Sequence, residues 1–339
     1  MMGSIKTVDQ QVDIDSPHVR EALAAAKALV VARETENDYP ARGTSLPQDG
    51  GIGRLVNKQL EQTGFDVSAV QAAQAASRKV NKRQLDELHD DAVAQSAERS
   101  NALHRLATDR LSLLGSVVAT RPAQTAFEIL DTPFDIWAGP DISVQSTNIE
   151  QHNSQAKIRF EASQSVGPFD SAITMSTGGA VHFLYFWRNP YQDSPAVVSA
   201  TALITLSGHC SAHADGGVIV NGRSEIMLFP RVEIFTSDNP PPQGGQELTA
   251  LDLVADSTWI FDGDNSKNLF TGYEPIYQNA IVRPGELIVI DAGLRIYASV
   301  FDGNVKADFA SGDFFVGSTF VALNIYYPAV GDVVASPSG

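Results

Sequence analysis

The spacing of apolar residues changes once along the chain. Up to about residue 118 they recur at intervals of three and four, as on one face of a helix, and beyond about residue 122 they alternate with polar residues, as in strands. We therefore predict a helical region over residues 16–118 and a β domain over residues 122–330, with flexible ends at 1–15 and 331–339.

The helical region has a recognisable start and a long uninterrupted middle. Ser16 can cap exposed backbone donors, and Pro17 tolerates the first helical position. Residues 67–114 contain neither Pro nor Gly and carry an apolar heptad stripe, which Gln95, Arg99 and Asp109 interrupt. Two interpretations stay open, namely a helix packed on its own domain and an oligomeric helical stalk.

One turn of the β domain can be extended into a residue-by-residue prediction. Asp302-Gly303 is a strong two-residue hairpin signal, because both central positions of such a turn favour positive φ. The hairpin would place one apolar face on a core and the other face in water. Its inward pairs would be Val300 with Val305, Ala298 with Ala307, and Ile296 with Phe309.

Similar alternation predicts further strands. "VHFLYFW" is apolar on both faces, which is typical of a strand covered on both sides. Gly and Pro turns separate the strands, and no helical pattern intervenes, so we predict an antiparallel, jelly-roll-like sandwich and an α+β fold by segments. The inward residues would be Ile158, Phe160, Ala162, Val232, Ile234, Val321, Leu323 and Ile325.

Two segments of the β domain resemble each other. "ELTALDLVADSTWIFDGDN" and "ELIVIDAGLRIYASVFDGN" share a Glu-Leu start and a Phe-Asp-Gly end. We interpret them as two hairpins of similar construction in pseudo-symmetric sheets.

Charge and cysteine content exclude several classes. The formal net charge of −16 disfavours a nucleic-acid partner, and the basic stretch "SRKVNKR" is followed at once by "DELHDD". A single cysteine permits no internal disulfide. No signal-peptide or transmembrane pattern is found, so we expect a cytoplasmic protein, with release by lysis or by a dedicated export apparatus left open.

The stretch "LSGHCSAHADGG" is the first candidate for chemistry. A two-residue period starting at Val198 points Cys210 inward and sends His209, His213 and Asp215 to the opposite face. If the strand stays regular that far, these three side chains could hold a divalent metal. The alternative is a pair of solvent-facing histidines before a turn, and we also interpret His89 as a surface residue.

A second candidate for metal binding is "DGDNSKNLFTGYE". Asp262, Asp264 and two further oxygen-bearing side chains occupy alternate positions, as in a calcium loop, but the EF-hand glycine and glutamate are replaced by Lys267 and Tyr273. Asx turns explain the same residues without an ion. We expect no cofactor, with calcium as the alternative.

Aromatic residues supply the candidates for binding a partner. "FWRNPYQDSP" contains two prolines that favour a loop leaving the sheet, and loops on a rigid scaffold often carry recognition. The binding candidates are Trp187, Arg188, Asn189, Tyr191 and Trp259.

Catalytic motifs are missing from the sequence. We find no nucleophile elbow, phosphate loop, dinucleotide fingerprint or zinc-protease helix. The sequence therefore favours a non-enzymatic, self-associating subunit of a particle or fibre, including a virus-like structural protein, with a homo-oligomer as its assembled form. The alternatives are a soluble toxin or lectin-like protein that binds a cell-surface glycan or membrane, and a hydrolase whose site is assembled from distant strands.

Overall fold

The protein is a β-sandwich of two mostly antiparallel sheets, as a computed structural model shows. The structure describes residues 17, 19–21, 23–25, 27–28, 83, 86–95, 125–139, 141–165, 174–192, 195–216, 221–236, 247–258 and 261–327. Within these ranges residues 17–28 and 83–94 are helical where described. No helix in the described ranges combines the length and apolar character needed to cross a bilayer.

The described part of the chain forms thirteen strands, numbered in chain order. One sheet has eight strands and the other has five. The larger sheet, sheet A, contains β1 (Thr125–Leu130), β3 (Ser143–Asn148), β4 (Ser154–Gln164), β6 (Ala196–Ala214), β9 (Gly263–Tyr273), β10 (Ile276–Val282), β12 (Gly303–Phe309) and β13 (Phe315–Tyr326). Sheet B contains, in spatial order, β2 (Asp135–Ala138), β5 (Met175–Arg188), β11 (Leu287–Phe301), β7 (Arg223–Phe235) and β8 (Leu251–Asp256).

Strand β6 is the centre of sheet A. It is 19 residues long, far above the usual five or six, and it pairs with four other strands. Its first half lies between β10 and β13, and its second half lies between β9 and β12. Strict alternation over this length buries Ala, Val, Ile, Leu and Cys210 against sheet B. Burial of each larger side chain contributes about 1.5–3 kcal/mol, so the strand anchors the core.

The inward-facing residues of the other strands follow the alternation of the sequence. All eight residues predicted inward on β4, β7 and β13 lie in the main core, and all six residues of the predicted Asp302-Gly303 hairpin do too. Strand β5 is covered on both faces, as predicted, because Leu184 belongs to a second apolar cluster on the outer side of sheet B.

The predicted hairpin at Asp302-Gly303 is wrong. β11 pairs with β5 and β7 in sheet B, whereas β12 pairs with β4 and β6 in sheet A. The turn carries the chain across the sandwich, so the inward faces of the two strands oppose each other through the core. The alternation of apolar and polar residues specifies which side chains point inward. Because a hairpin and a crossing between sheets require the same alternation, the sequence pattern could not distinguish them.

The two similar segments are equivalent crossings, and the interpretation as hairpins is wrong for both. β8 leads through Phe261-Asp262-Gly263 into β9, as β11 leads through Phe301-Asp302-Gly303 into β12. Both crossings run from sheet B to sheet A, and Gly263 and Gly303 lie on opposite sides of Ala214 at the end of β6. The two segments therefore share a crossing beside the end of β6, and pseudo-symmetry of the sheets stays a prediction.

The outer faces of the two sheets are only partly exposed to solvent. On sheet B, Leu23 of the helical residues packs against the cluster of Leu184, Val289 and Phe235, and the Lys27 Nζ lies 2.5 Å from Asp135 Oδ2. Arg231 and Glu233, which alternation assigns to the solvent side of β7, are buried. On sheet A, Leu203, Phe320 and Ala322 form a third buried cluster.

Candidate functional site

The histidines of β6 face polar residues on both neighbouring strands. His213 lies opposite Asp264 of β9 and Asn304 of β12, and four residues earlier His209 lies opposite Asn268 and Asp308. We call these residues the histidine ladder: His209, His213, Asp264, Asn268, Asn304 and Asp308. Each histidine thus has one aspartate and one asparagine as cross-strand neighbours.

His213 is held between two carboxylates. Its Nδ1 lies 2.6 Å from Asp264 Oδ1, and its Nε2 lies 3.2 Å from Asp215 Oδ1. The hydrogen bonds to Asp215 and Asp264 raise the pKa of His213 to about 10 and outweigh the opposing effect of burial. The ring is therefore doubly protonated at neutral pH and donates a hydrogen bond to each carboxylate.

The predicted metal ligands come together in part. His213, Asp215 and Asp264 are in contact, whereas His209 lies four residues away along β6, about 13 Å at the rise of a strand. Asp262 accepts a hydrogen bond of 2.8 Å from the Gly216 backbone N–H. Within the described ranges, no group of three or more His, Cys, Asp or Glu side chains is arranged to hold a metal ion. Metal binding at this set stays a prediction.

His209 and His89 meet on the outer face of sheet A, contrary to the expectation that both face solvent. His209 is 4% exposed, and its Nδ1 lies 2.6 Å from Asn268 Oδ1. The His89 ring lies edge-on at 5.2 Å, and its Nε2 lies 2.8 Å from Asp308 Oδ2. Burial lowers the pKa of His209, with the Asn268 hydrogen bond opposing that shift.

Asp308 is held in its charged form. Burial by itself would raise its pKa, but hydrogen bonds from the Ser311 hydroxyl, the Ala310 N–H and His89 lower it to about 2. The carboxylate therefore offers a permanent negative charge to His89.

The predicted calcium loop is a strand. Residues from Gly263 to Tyr273 form β9, and the alternate spacing of Asp264, Ser266 and Asn268 is the two-residue period of one strand face. These side chains lie opposite His213, Ser211 and His209 of β6. Calcium binding stays a prediction, but the loop that suggested it is absent from this described segment.

The predicted recognition loop is bound to its neighbours. Trp187 and Asn189 are buried, and the Asn189 side chain donates to the Arg283 carbonyl while accepting from the Tyr191 N–H. Arg188 donates to the Gly285 carbonyl at 2.9 Å. Tyr191 and Arg188 are exposed, and partner binding by these residues stays a prediction. Trp259 lies outside the described residues.

Tyr191 belongs to an aromatic end of the sandwich that the sequence did not reveal. Its ring meets the Tyr327 ring edge-on, with 4.6 Å between the ring centroids. The pKa of Tyr327 is raised, mainly by burial and further by the nearby Glu128 carboxylate. The Trp187 indole donates to Glu128 Oε2 at 2.7 Å, and burial raises the pKa of Glu128 against that hydrogen bond. Glu128 and Tyr327 are far from Tyr191 along the chain, so no local sequence motif could have predicted that the three residues lie at the same end of the sandwich.

A charged cluster is buried on the outer face of sheet B. His182 Nδ1 lies 2.8 Å from Asp291 Oδ2, Arg231 Nη2 lies 3.5 Å from the same oxygen, and the Trp137 ring stacks on His182 at 4.9 Å. All three charged or titratable groups are almost fully buried. A substrate has no access to the His182–Asp291 pair in this arrangement, which favours a structural role.

Strand β3 is the most exposed element among the described residues. All six of its residues are exposed, and its described partner is β4 alone. Val144 is 44% exposed and Ile149, directly after the strand, is 45% exposed. No charged residue occurs from Ile142 to Ile149, although the chain carries −16 overall. Proteins usually protect such an edge with charges, proline or a cover.

Comparisons with known proteins identify no family. No protein-family model matches the chain, and no curated protein matches it. A structure of TmCBM61 in complex with beta-1,4-galactotriose is similar with a TM-score of 0.18 at 8% identity, over 57% of this chain and 88% of that chain. Structures of infectious bursal disease virus, Gx and Gt strains, give TM-scores of 0.16 and 0.14 at 9% and 8% identity, over 58% and 60% of this chain and 42% of each of those chains. Likeness at this level is coarse and indicates no function.

Proposed function

We propose that the protein is a non-enzymatic, self-associating subunit of a particle or fibre, built on the β-sandwich. We further propose that the strands are connected in a jelly-roll-like order and that residues 16–118 form a helical region. What supports it is the presence of two separate apolar margins on one acidic subunit.

The two margins lie on sheet A. The first margin consists of Val144 and Ile149 at β3. The second consists of Ile281 and Tyr326, which are each 40% exposed and which pair with Val197 of β6 from its two sides. Gly317 of β13 lies beside β4, next to Gln155 and hence to Asn148 of β3. Tyr326 is nine residues further along β13, about 30 Å at the rise of a strand.

Two separated margins distinguish open or extended assemblies from a simple pair. A single patch closes on itself in a twofold dimer, whereas a particle or fibre needs at least two contact surfaces on each subunit. Apolar surface patches that are rimmed by polar residues are typical of protein interfaces.

The test is the size distribution of the purified full chain. We expect light scattering and negative-stain images to show oligomers or particles whose amount rises with protein concentration. The variant Ile281→Ser with Tyr326→Ser should reduce the larger species, while the control Thr258→Ser, at an exposed position on the connection from β8 to β9, should not. A strict monomer at every concentration would contradict the proposal.

A second candidate, glycan binding, is favoured by the aromatic end. An exposed ring at Tyr191 beside Tyr327, with the Glu128 carboxylate nearby, supplies an apolar face and a hydrogen-bond acceptor, which are the groups that a sugar requires. Binding to a glycan array that is lost in Tyr191→Ala would support this candidate. Leakage of liposomes would instead favour the membrane-binding toxin.

A further inference from the structure

We propose that β3 is a twofold interface, in which the β3 strands of two copies of this chain pair antiparallel and join their sheets A into one continuous sheet. This inference rests on the proposed self-association and specifies its partner, its register and its central residue.

The side-chain directions of β3 follow from its pairing with β4. Val144 lies opposite the buried Ile158 and Thr147 opposite the buried Ala156, so both point to the inner side of the sandwich. The register shifts between Val144 and Ser146, which leaves Gln145 as the extra residue of a bulge. If the register of β3 and β4 is continued by one residue beyond Asn148, Ile149 falls opposite Ser154, on the same side as Thr147.

These directions select one register. A twofold axis perpendicular to the sheet keeps each side chain on its own face, so residues that face each other across the axis must point to the same side. Centring the axis on Thr147 pairs Thr147 with its own copy, Ser146 with Asn148, and Val144 with Ile149. The exposed apolar side chains at the two ends of β3 then cover each other.

A second copy is the occupant that the charges favour. Two subunits of charge −16 repel each other over most of their surface, and the uncharged segment from Ile142 to Ile149 is where they can approach. Glu150 would face Ser143 of the other copy, so no like charges meet along the strand. The main-chain groups of an exposed edge supply the hydrogen bonds, as in other strand-addition complexes.

Cysteine crosslinking tests the register directly. The native Cys210 is buried, so a cysteine at an exposed position becomes the reactive thiol of the chain. We expect Thr147→Cys to give a disulfide-linked dimer on mild oxidation, because directly opposed residues bring their Cβ atoms within about 4.5–5.5 Å. Ser143→Cys, on the same strand, is the control. In this register its own copies lie six positions apart, about 20 Å, and should not crosslink.

A charge substitution tests the interface without crosslinking. Thr147→Lys would place two ammonium groups opposite each other on the axis. We expect the dissociation constant of the dimer, measured by sedimentation equilibrium, to rise at least about tenfold. Thr258→Lys adds the same charge at an exposed position on the connection from β8 to β9, four strands from β3 in sheet A, and should leave the dimer unchanged. Circular dichroism confirms that each variant is folded.

The outcomes separate this inference from the proposed function. If the wild type assembles, but Thr147→Cys crosslinks no more than Ser143→Cys or Thr147→Lys assembles as the wild type does, the β3 interface is wrong and self-association stands. If the wild type is a monomer at every concentration, both fail.

Discussion

At the scale of single residues, cross-strand neighbours decide the chemistry of the histidines. The sequence placed His209 and His213 on one face of a strand, and that placement is confirmed. Their environments differ because Asp264 and Asn268 come from β9, more than 50 positions away along the chain. A single sequence holds no signal for such a partner, so the fate of each imidazole could not be predicted.

We predict that the stability contributed by His213 is lost at alkaline pH. Its pKa is raised from an ordinary 6.5 to about 10, so the protonated ring is favoured in the folded state. That contribution is fully present below about pH 6.5 and declines as the pH rises towards about 10.

Thermal unfolding at pH 6 and pH 9.5 measures this effect. The wild type should lose more stability between the two values than His213→Gln, which cannot titrate. Parallel losses in both proteins would show that His213 is not the group responsible.

We predict that Cys210 does not react with a thiol reagent in the native protein. The side chain is buried in the core, and burial raises the pKa of the thiol, so the reactive thiolate is suppressed. Ellman's reagent should give close to no signal in buffer and about one thiol per chain in denaturant, the number that the sequence supplies. Rapid reaction in buffer would place the thiol outside the core.

At the scale of elements, the sequence predicted faces better than partners. The alternation identified the inward residues of β11 and β12, but it paired the strands side by side when they lie in different sheets. The repeated Phe-Asp-Gly sequence did contain a signal for the crossing. Both copies place a glycine where the chain passes close to another backbone, namely Gly303 at the His213 carbonyl and Gly263 at the Asp256 carbonyl.

We predict that Gly303→Ala destabilises the protein by about 1–3 kcal/mol, the usual cost of forcing atoms into a packed site. A Cβ at this position would overlap the His213 carbonyl oxygen, which belongs to a central strand and cannot move away. Chemical denaturation measures the free energy of unfolding.

Gly272→Ala is the matched control for this substitution. Gly272 also lies in a strand that flanks β6, but the nearest atom to an added Cβ is the flexible end of the Leu203 side chain at 3.1 Å. Equal losses in the two variants would argue against a steric role for Gly303.

At the scale of the whole molecule, the β-sandwich could be predicted because strand periodicity and turn residues continue along the second half of the chain. The sequence could not predict which parts of the outer faces of the sheets are covered. A polar residue such as Arg231 or Glu233 looks the same in the sequence whether water or another layer lies above it. The exposed edge at β3 was missed for a related reason, since an edge is defined by the absence of a neighbour.

We predict that self-association strengthens as salt is added. The net charge of −16 opposes contact between subunits, and the Debye length falls from about 30 Å at 0.01 M to about 8 Å at 0.15 M ionic strength. Light scattering at constant protein concentration should therefore report larger mean mass at 0.15 M than at 0.01 M. Dissolution of the oligomers by salt would indicate contacts between opposite charges instead of uncharged margins.

The length and position of β6 also have a consequence for biosynthesis. The four described strands that pair with β6 all follow it in the chain, and the last of them ends at Tyr326. When the ribosome has just released β6, none of these four partners has been synthesised, and its row of valine, isoleucine and leucine lacks their cover. Nascent chains that stall before Tyr326 should thus be good clients for chaperones, and the sheet can close when translation of its last strand is complete.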